Sequence, residues 1–107
     1  MNIINCTPHP LNIKKGSETI TIQPSGIIPR VKTETKTVEG LNGFEVKESR
    51  STGVEGLPAP EKDTIYVVSA MVAQATDRND VVSPNTGEAL RNEKGHIVAV
   101  PGFVKYV

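Results

Sequence analysis

Cys6-Thr7-Pro8-His9 sets a thiol and an imidazole three residues apart. Such a pair could act as nucleophile and base, or as two ligands of a metal. Catalysis would also need an orienting group and an oxyanion site. A metal would need two more good ligands, and the only other histidine is His96. The plainer reading makes Cys6 a small core residue and His9 a polar turn residue; a separate reading gives His9 a role in binding a ligand. Ser69 opens the one helical pattern in the chain. The free N–H groups that follow it, of Ala70, Met71 and Val72, favour an anion such as phosphate, although the Ser69 hydroxyl can itself cap them. Asp77-Arg78-Asn79-Asp80 offers two carboxylates for Mg²⁺ or Ca²⁺ or for acid–base work. More simply it is a solvated helix end with a local Asp–Arg pair, in which the planar fork of Arg78 suits phosphate or carboxylate. Tyr66 could stack a base or sit in the core.

Arg30 and Arg50 flank a long polar stretch. If the turn at 40–43 sets the register, they could become cross-strand neighbours joined by an anion; the plainer reading is two surface charges near Glu48 and Glu34. The expected site is therefore a ligand-binding one, built from His9, Arg30, Tyr66, Ser69, Arg78 and Asp80. It has no catalytic residue, no metal and no cofactor. The loops Gly-x-x-x-x-Gly-Lys and Gly-x-Gly-x-x-Gly are both absent from the sequence.

The chain that must position these residues has 107 residues, the size of one domain, and we read 1–107 as a single domain. Twelve Lys+Arg balance twelve Asp+Glu. That neutrality argues against a general nucleic-acid binder, which carries a basic excess. Apolar residues make up 36% and aromatic residues 4%, with no Trp, so the core must be aliphatic. One cysteine cannot form an internal disulfide, and Met1 to Asn5 lacks the pattern of a secretory signal. The expected compartment is reducing and intracellular. No apolar run approaches the roughly 20 residues of a membrane span.

Leu11 and Ile13, then Thr19 to Ile22, flank Lys15-Gly16-Ser17 as a hairpin. From Ile27 to Ser51, Lys32, Glu34 and Lys36 alternate with Thr33, Thr35 and Thr37, and Asn42-Gly43 signals a hairpin turn. Residues 27–51 thus form a long two-stranded ribbon, too polar for a monomer core: an exposed arm or a subunit contact. Residues 51–63 read as a loop. Thr64 to Val68 is apolar on both faces, as in a covered strand. A short helix follows over 69–78, with Val68, Met71, Val72 and Ala75 on one face, Arg78 in its last turn and Asn79 as a left-handed cap. Strands return at 81–82, 96–100 and 103–107. The expected fold is α+β: a mostly antiparallel β-sheet or partly open barrel with one short helix.

Several segments together resemble one family. They are Asn5-x-Thr7-Pro8-His9; Ile22-x-Pro24-Ser25-Gly26 with Arg30-Val31 after it; Gly56-Leu57-Pro58-x-Pro60; Thr64-x-Tyr66-Val67-Val68-Ser69; Arg78-x-Asp80-Val81 with Pro84 after it; and Gly95-x-Ile97-Val98. The chain resembles small uncharacterised proteins encoded by bacteriophages and prophages, over about residues 2 to 103. Cys6 stands where the resemblance implies Leu or Val, and the loop from Asn85 to Arg91 departs from the pattern. The resemblance implies a phage accessory protein acting in the host cytoplasm. It implies a non-enzymatic anti-defence role, in which a homo-oligomer sequesters a small phosphorylated nucleotide signal, a cyclic nucleotide or a cyclic ADP-ribose-like molecule. The alternatives are an inhibitor that binds a host protein and a virion accessory protein. One geometric condition attaches to the ligand. A helix of about nine residues is ~13 Å long, so Ser69 and Arg78 could grip one ligand only across a subunit interface or through two phosphates.

Overall fold

The computed structural model describes residues 1–106, and Leu41 by its backbone alone. Its elements run β1 (Asn2–Asn5), β2 (Leu11–Lys15), β3 (Glu18–Ile22), β4 (Arg30–Leu41), β5 (Phe44–Glu55), β6 (Thr64–Val67), α1 (Ala70–Gln74), β7 (Val81–Pro84), a 3-10 turn (Thr86–Glu88), β8 (Leu90–Arg91), β9 (Ile97–Ala99) and β10 (Phe103–Val104). The described residues are mostly β with one short α-helix. The expected strand at 103–107 ends at Val104, and Val107 lies outside the described residues.

A four-stranded sheet in the order β1-β6-β7-β10 forms the centre. β1 and β7 both run parallel to β6, and β10 closes the far edge antiparallel to β7. The hairpins β2–β3, β4–β5 and β8–β9 are antiparallel. Antiparallel pairing dominates as expected, but the centre of the fold is parallel. The reason lies in the connections. Residues 68–80 form a crossover long enough to bring β7 back parallel to β6, and the whole excursion from Cys6 to Asp63 separates β1 from β6. No sheet among the described residues closes into a barrel.

β6 is covered on both faces, as its apolar run requires. Tyr66 and Val68 point to one side, where they meet Cys6, Val72, Ala73 and Val81. Ile4, Ile27, Val31, Val54 and Leu57 complete this cluster, so it joins the sheet to α1 and to the root of the ribbon. Val67 points to the other side and packs with Leu11 and Val82, flanked by Ile13, Ile22, Ile65 and Phe103. The β2–β3 hairpin therefore forms a second layer. Val100 extends that layer: its N–H donates to the Asn12 carbonyl and its carbonyl accepts from Lys14 N–H, both at 2.9 Å.

The helix is shorter than its sequence pattern predicts. It ends at Gln74, with Ala75 as a right-handed cap donating to the Val72 carbonyl. Arg78 therefore lies beyond the helix rather than in its last turn. Asn79 is not left-handed, since the positive-φ non-glycine positions are Asn42 and Asp63. Met71 is 73% exposed while Ala73 is buried. So short a helix is oriented by its cap and by the strands at either end, and the apolar stripe decides little.

The ribbon runs from Arg30 to Glu55, starting later than the expected 27 and taking in residues 51–55 that the sequence reads as loop. Asn42 and Gly43 both have positive φ, as a tight two-residue hairpin turn requires. A Cβ at Gly40 would overlap the carbonyl oxygen of Phe44, so the backbone bulge there admits only glycine. The ribbon makes the molecule long. Its Cα radius of gyration is 17.1 Å, against about 13 Å for a compact chain near this length.

Candidate functional site

The turn after β1 is organised by Asn5, which is 1% exposed. Its side-chain amide donates to the carbonyls of His9 (2.8 Å) and Ile22 (3.0 Å). Its Oδ1 accepts from the Thr7 N–H (2.9 Å) and the Thr7 hydroxyl (2.6 Å). Its main-chain carbonyl accepts from both the N–H and the hydroxyl of Ser25. A buried amide with its donors and acceptor engaged fixes the local backbone strongly. Asn5 thereby sets the path of Thr7-Pro8-His9 where the chain leaves the sheet, and His9 itself is exposed.

β1, β6 and β7 are parallel, so their carboxyl ends lie along one edge of the sheet. From that edge the chain after β1 passes to the face covered by β2 and β3, while the chain after β6 passes to the face covered by α1. Neighbouring parallel strands whose connections depart to opposite faces leave a crevice between them, the usual place for a ligand in open sheets of this kind. A cleft of about 480 Å³ opens there. Thr7, His9 and Pro10 line it after β1, Ser69 and Ala70 after β6, and Pro84 and Thr86 at the end of β7. Leu11 and Asn12 of β2 and Ile97 to Val100 complete the wall. Ser69 is the N-cap of α1, its hydroxyl accepting from Val72 N–H at 3.4 Å.

The cleft is apolar along Leu11, Ile97, Val98, Ala99 and Val100, and polar at His9, Asn12, Ser69 and Thr86. Asn12 spends its Oδ1 on the Thr21 hydroxyl (2.7 Å), which leaves its amide N–H groups for another partner. Among the described residues, no Lys, Arg, Asp or Glu lines the cleft. Such a surface suits a ring with polar edges better than a dense cluster of negative charge. The structure thus brings together two of the sequence-predicted residues, His9 and Ser69. Asn12, Thr86, Ile97 and Val98 complete the cleft without standing out in the sequence as site residues. Their only signal was the exposed apolar pair Ile97–Val98, which a strand with one dry face does not need.

Tyr66, Arg78 and Asp80 gather elsewhere, toward the amino end of β7. Arg78 donates to Asp80 through Nε (3.0 Å) and Nη2 (2.7 Å), and through Nη1 to the Pro58 carbonyl (2.7 Å). Its guanidinium lies 5.6 Å from the centroid of the Tyr66 ring, and the Tyr66 hydroxyl donates to the Ala59 carbonyl (3.0 Å). The hydrogen bonds from Arg78 hold the Asp80 carboxyl below its ordinary range and raise Arg78 in turn. Burial pushes the Tyr66 phenol up. Together these groups clamp the Leu57–Pro60 loop onto the sheet. The fork of Arg78 is already committed to this clamp, and the structure does not bring it to Ser69.

Arg30 is exposed at the root of the ribbon and faces Glu55, not Arg50. Arg50 faces Glu34, with the ion pair at 3.1 Å. The anion-bridged arginine pair does not form, and Arg50 is the surface charge beside Glu34 of the plainer reading, because the register set by Asn42-Gly43 and by the irregularity after Lys32 puts a carboxylate opposite each guanidinium. Cys6 is buried, and burial raises its thiol, so it is poorly suited to act as a nucleophile. Among the described residues, no three His, Cys, Asp or Glu side chains gather as a metal site, and no helix is long and apolar enough to cross a membrane. Comparison with protein-family models, with curated proteins and with solved structures gives no match.

Proposed function

We propose that this chain is a non-enzymatic binding protein that sequesters a small nucleotide signal, and that it acts as a phage accessory protein against host defence. One observation carries the ligand reading: the cleft at the carboxyl ends of three parallel strands, with His9 and Ser69 on its rim. Its volume falls within the range of small-molecule sites. The base and sugar of a nucleotide fit an apolar wall edged by an imidazole, an amide and two hydroxyls. Phosphates would stay at the open mouth, because no cationic side chain lines the interior. The phage origin and the anti-defence role rest on the resemblance of the sequence segments given above. A homo-oligomer belongs to the same proposal.

The test is a thermal-shift screen of cyclic dinucleotides, cyclic ADP-ribose isomers and linear nucleotides. A ligand at about a hundred times its dissociation constant adds roughly 2.7 kcal/mol of stability, which gives a clear rise in melting temperature. At least one compound should produce it, and His9→Ala should reduce it. A flat screen at millimolar ligand would instead favour an inhibitor that binds a host protein through the protruding ribbon.

A further inference from the structure

We propose that the charged face of the β4–β5 ribbon is a self-complementary docking surface whose occupant is the same face of a second copy of this chain. The inference is independent of the cleft. Cross-strand register places Glu34 opposite Arg50 and Lys36 opposite Glu48, with ion pairs at 3.1 and 3.5 Å, all four side chains exposed. Negative and positive therefore alternate both along each strand and across the ribbon, as a two-by-two checkerboard. The same four residues, with Thr35 and Ser49 between them in the chain, line a shallow concavity of about 670 Å³ at the middle of the ribbon.

A checkerboard matches itself under a specific set of rotations. A half-turn about an axis lying along the ribbon sets Glu34 over the second copy's Arg50, and Lys36 over the second copy's Glu48. Every charge then meets its opposite. Ribbons crossing at a right angle would set like over like, which excludes that arrangement. The next pair toward the tip is Val38 opposite Val46, half-buried on the same face. The same half-turn lays this apolar pair on its own copy. Phe44 follows on that face by strand alternation, and it is 73% exposed. The apolar and the charged residues thus call for one and the same rotation. The opposite face carries Thr33, Thr35, Thr37, Ser49 and Ser51, with Lys47 opposite Thr37 and paired along its own strand with Glu45 at 3.7 Å, and offers neither an apolar anchor nor charges that alternate across the ribbon. A two-stranded ribbon alone in water is marginal, and a second ribbon against this face would supply the missing layer.

Native mass spectrometry and light scattering of the full chain test the proposal. The wild type should run at twice the chain mass at micromolar concentration. The all-positive variant E34K/E48K and the all-negative variant K36E/R50E should each run as monomers. Mixed one to one, they should form a heterodimer, because only the contact between copies is restored while each ribbon remains internally repelled. A wild type that stays monomeric, or a mixture that does, overturns the proposal. Should either charge variant fail to fold, Phe44→Ser keeps the test open. It should raise the dissociation constant of the dimer at least about tenfold, and an unchanged constant would remove this face as the interface.

Discussion

The side-chain amide of Asn5 donates to the main-chain carbonyl of His9 at 2.8 Å. Through that bond a buried residue at the end of β1 determines where an exposed imidazole stands at the mouth of the cleft. The same amide also reaches the Ile22 carbonyl at the end of β3, so the second layer and the cleft rim share one anchor.

Replacing Asn5 should therefore act on stability and on the cleft together. Asn5→Ala takes the acceptor from the buried Thr7 N–H and the side-chain donor from the Ile22 carbonyl, while the Thr7 hydroxyl keeps the His9 carbonyl, at a cost of roughly 1–3 kcal/mol. Urea titration should show a lower midpoint with an unchanged slope. Ligand affinity should fall beyond the loss in stability, because the Thr7-Pro8-His9 turn is no longer held.

The Arg78–Asp80 pair predicts a pH dependence. Asp80 sits below its ordinary range in the folded protein, chiefly through the hydrogen bonds from Arg78. The folded state then binds fewer protons at this group than the unfolded state does. The contribution of the pair is full above the ordinary carboxylate range near pH 4 and is lost as pH falls through the depressed folded value. Asp80→Asn should be less stable than wild type at neutral pH, by about 1–2 kcal/mol for a pair only about one-fifth exposed. The two melting curves should converge in acid. A difference that stayed constant with pH would contradict the assignment.

Arg78→Ala should unfasten the Leu57–Pro60 loop. It removes the donor to Pro58 and leaves the Asp80 carboxylate part-buried without its partner. Limited proteolysis should cut within residues 56–63 earlier than in wild type, while binding in the cleft stays within about twofold for a site away from the clamp.

Ser69→Ala tests the helix start. The capping bond is long, at 3.4 Å, so the cost should be at the low end for an N-cap, about 0.5–1 kcal/mol. Ser69→Asp should restore that stability, and it should weaken any ligand that brings a phosphate near the mouth.

Much of this architecture is legible in the residues themselves. Lys15-Gly16-Ser17 between β-formers marks the β2–β3 hairpin, Asn42-Gly43 the ribbon turn, Ile65 to Val68 a strand covered on both faces, and Ser69 a helix cap. Each signal is local. What remains hidden is what depends on distant partners. The pairing of β1 with β6 joins residues far apart in the chain, and nothing in Asn2–Asn5 encodes a parallel neighbour. The helix stops at Gln74, and beyond it the Thr76 hydroxyl accepts from the Arg78 N–H while Arg78 reaches Asp80 and Pro58, contacts that a periodicity cannot contain. The cleft was half visible. His9 and Ser69 stand out by type, while Asn12, Thr86 and Val98 acquire a role only when four separate segments meet at one sheet edge.

Isothermal titration of the best ligand from the nucleotide panel, into wild type and into Val98→Glu, decides whether the cleft is the binding site. Val98 lines the cleft and is 46% exposed, so glutamate there crowds the mouth and repels phosphate without entering the core. Wild type should bind saturably, and Val98→Glu should bind at least about tenfold more weakly at an unchanged melting temperature. Binding of equal strength to both proteins would place the ligand outside the cleft and contradict its binding role.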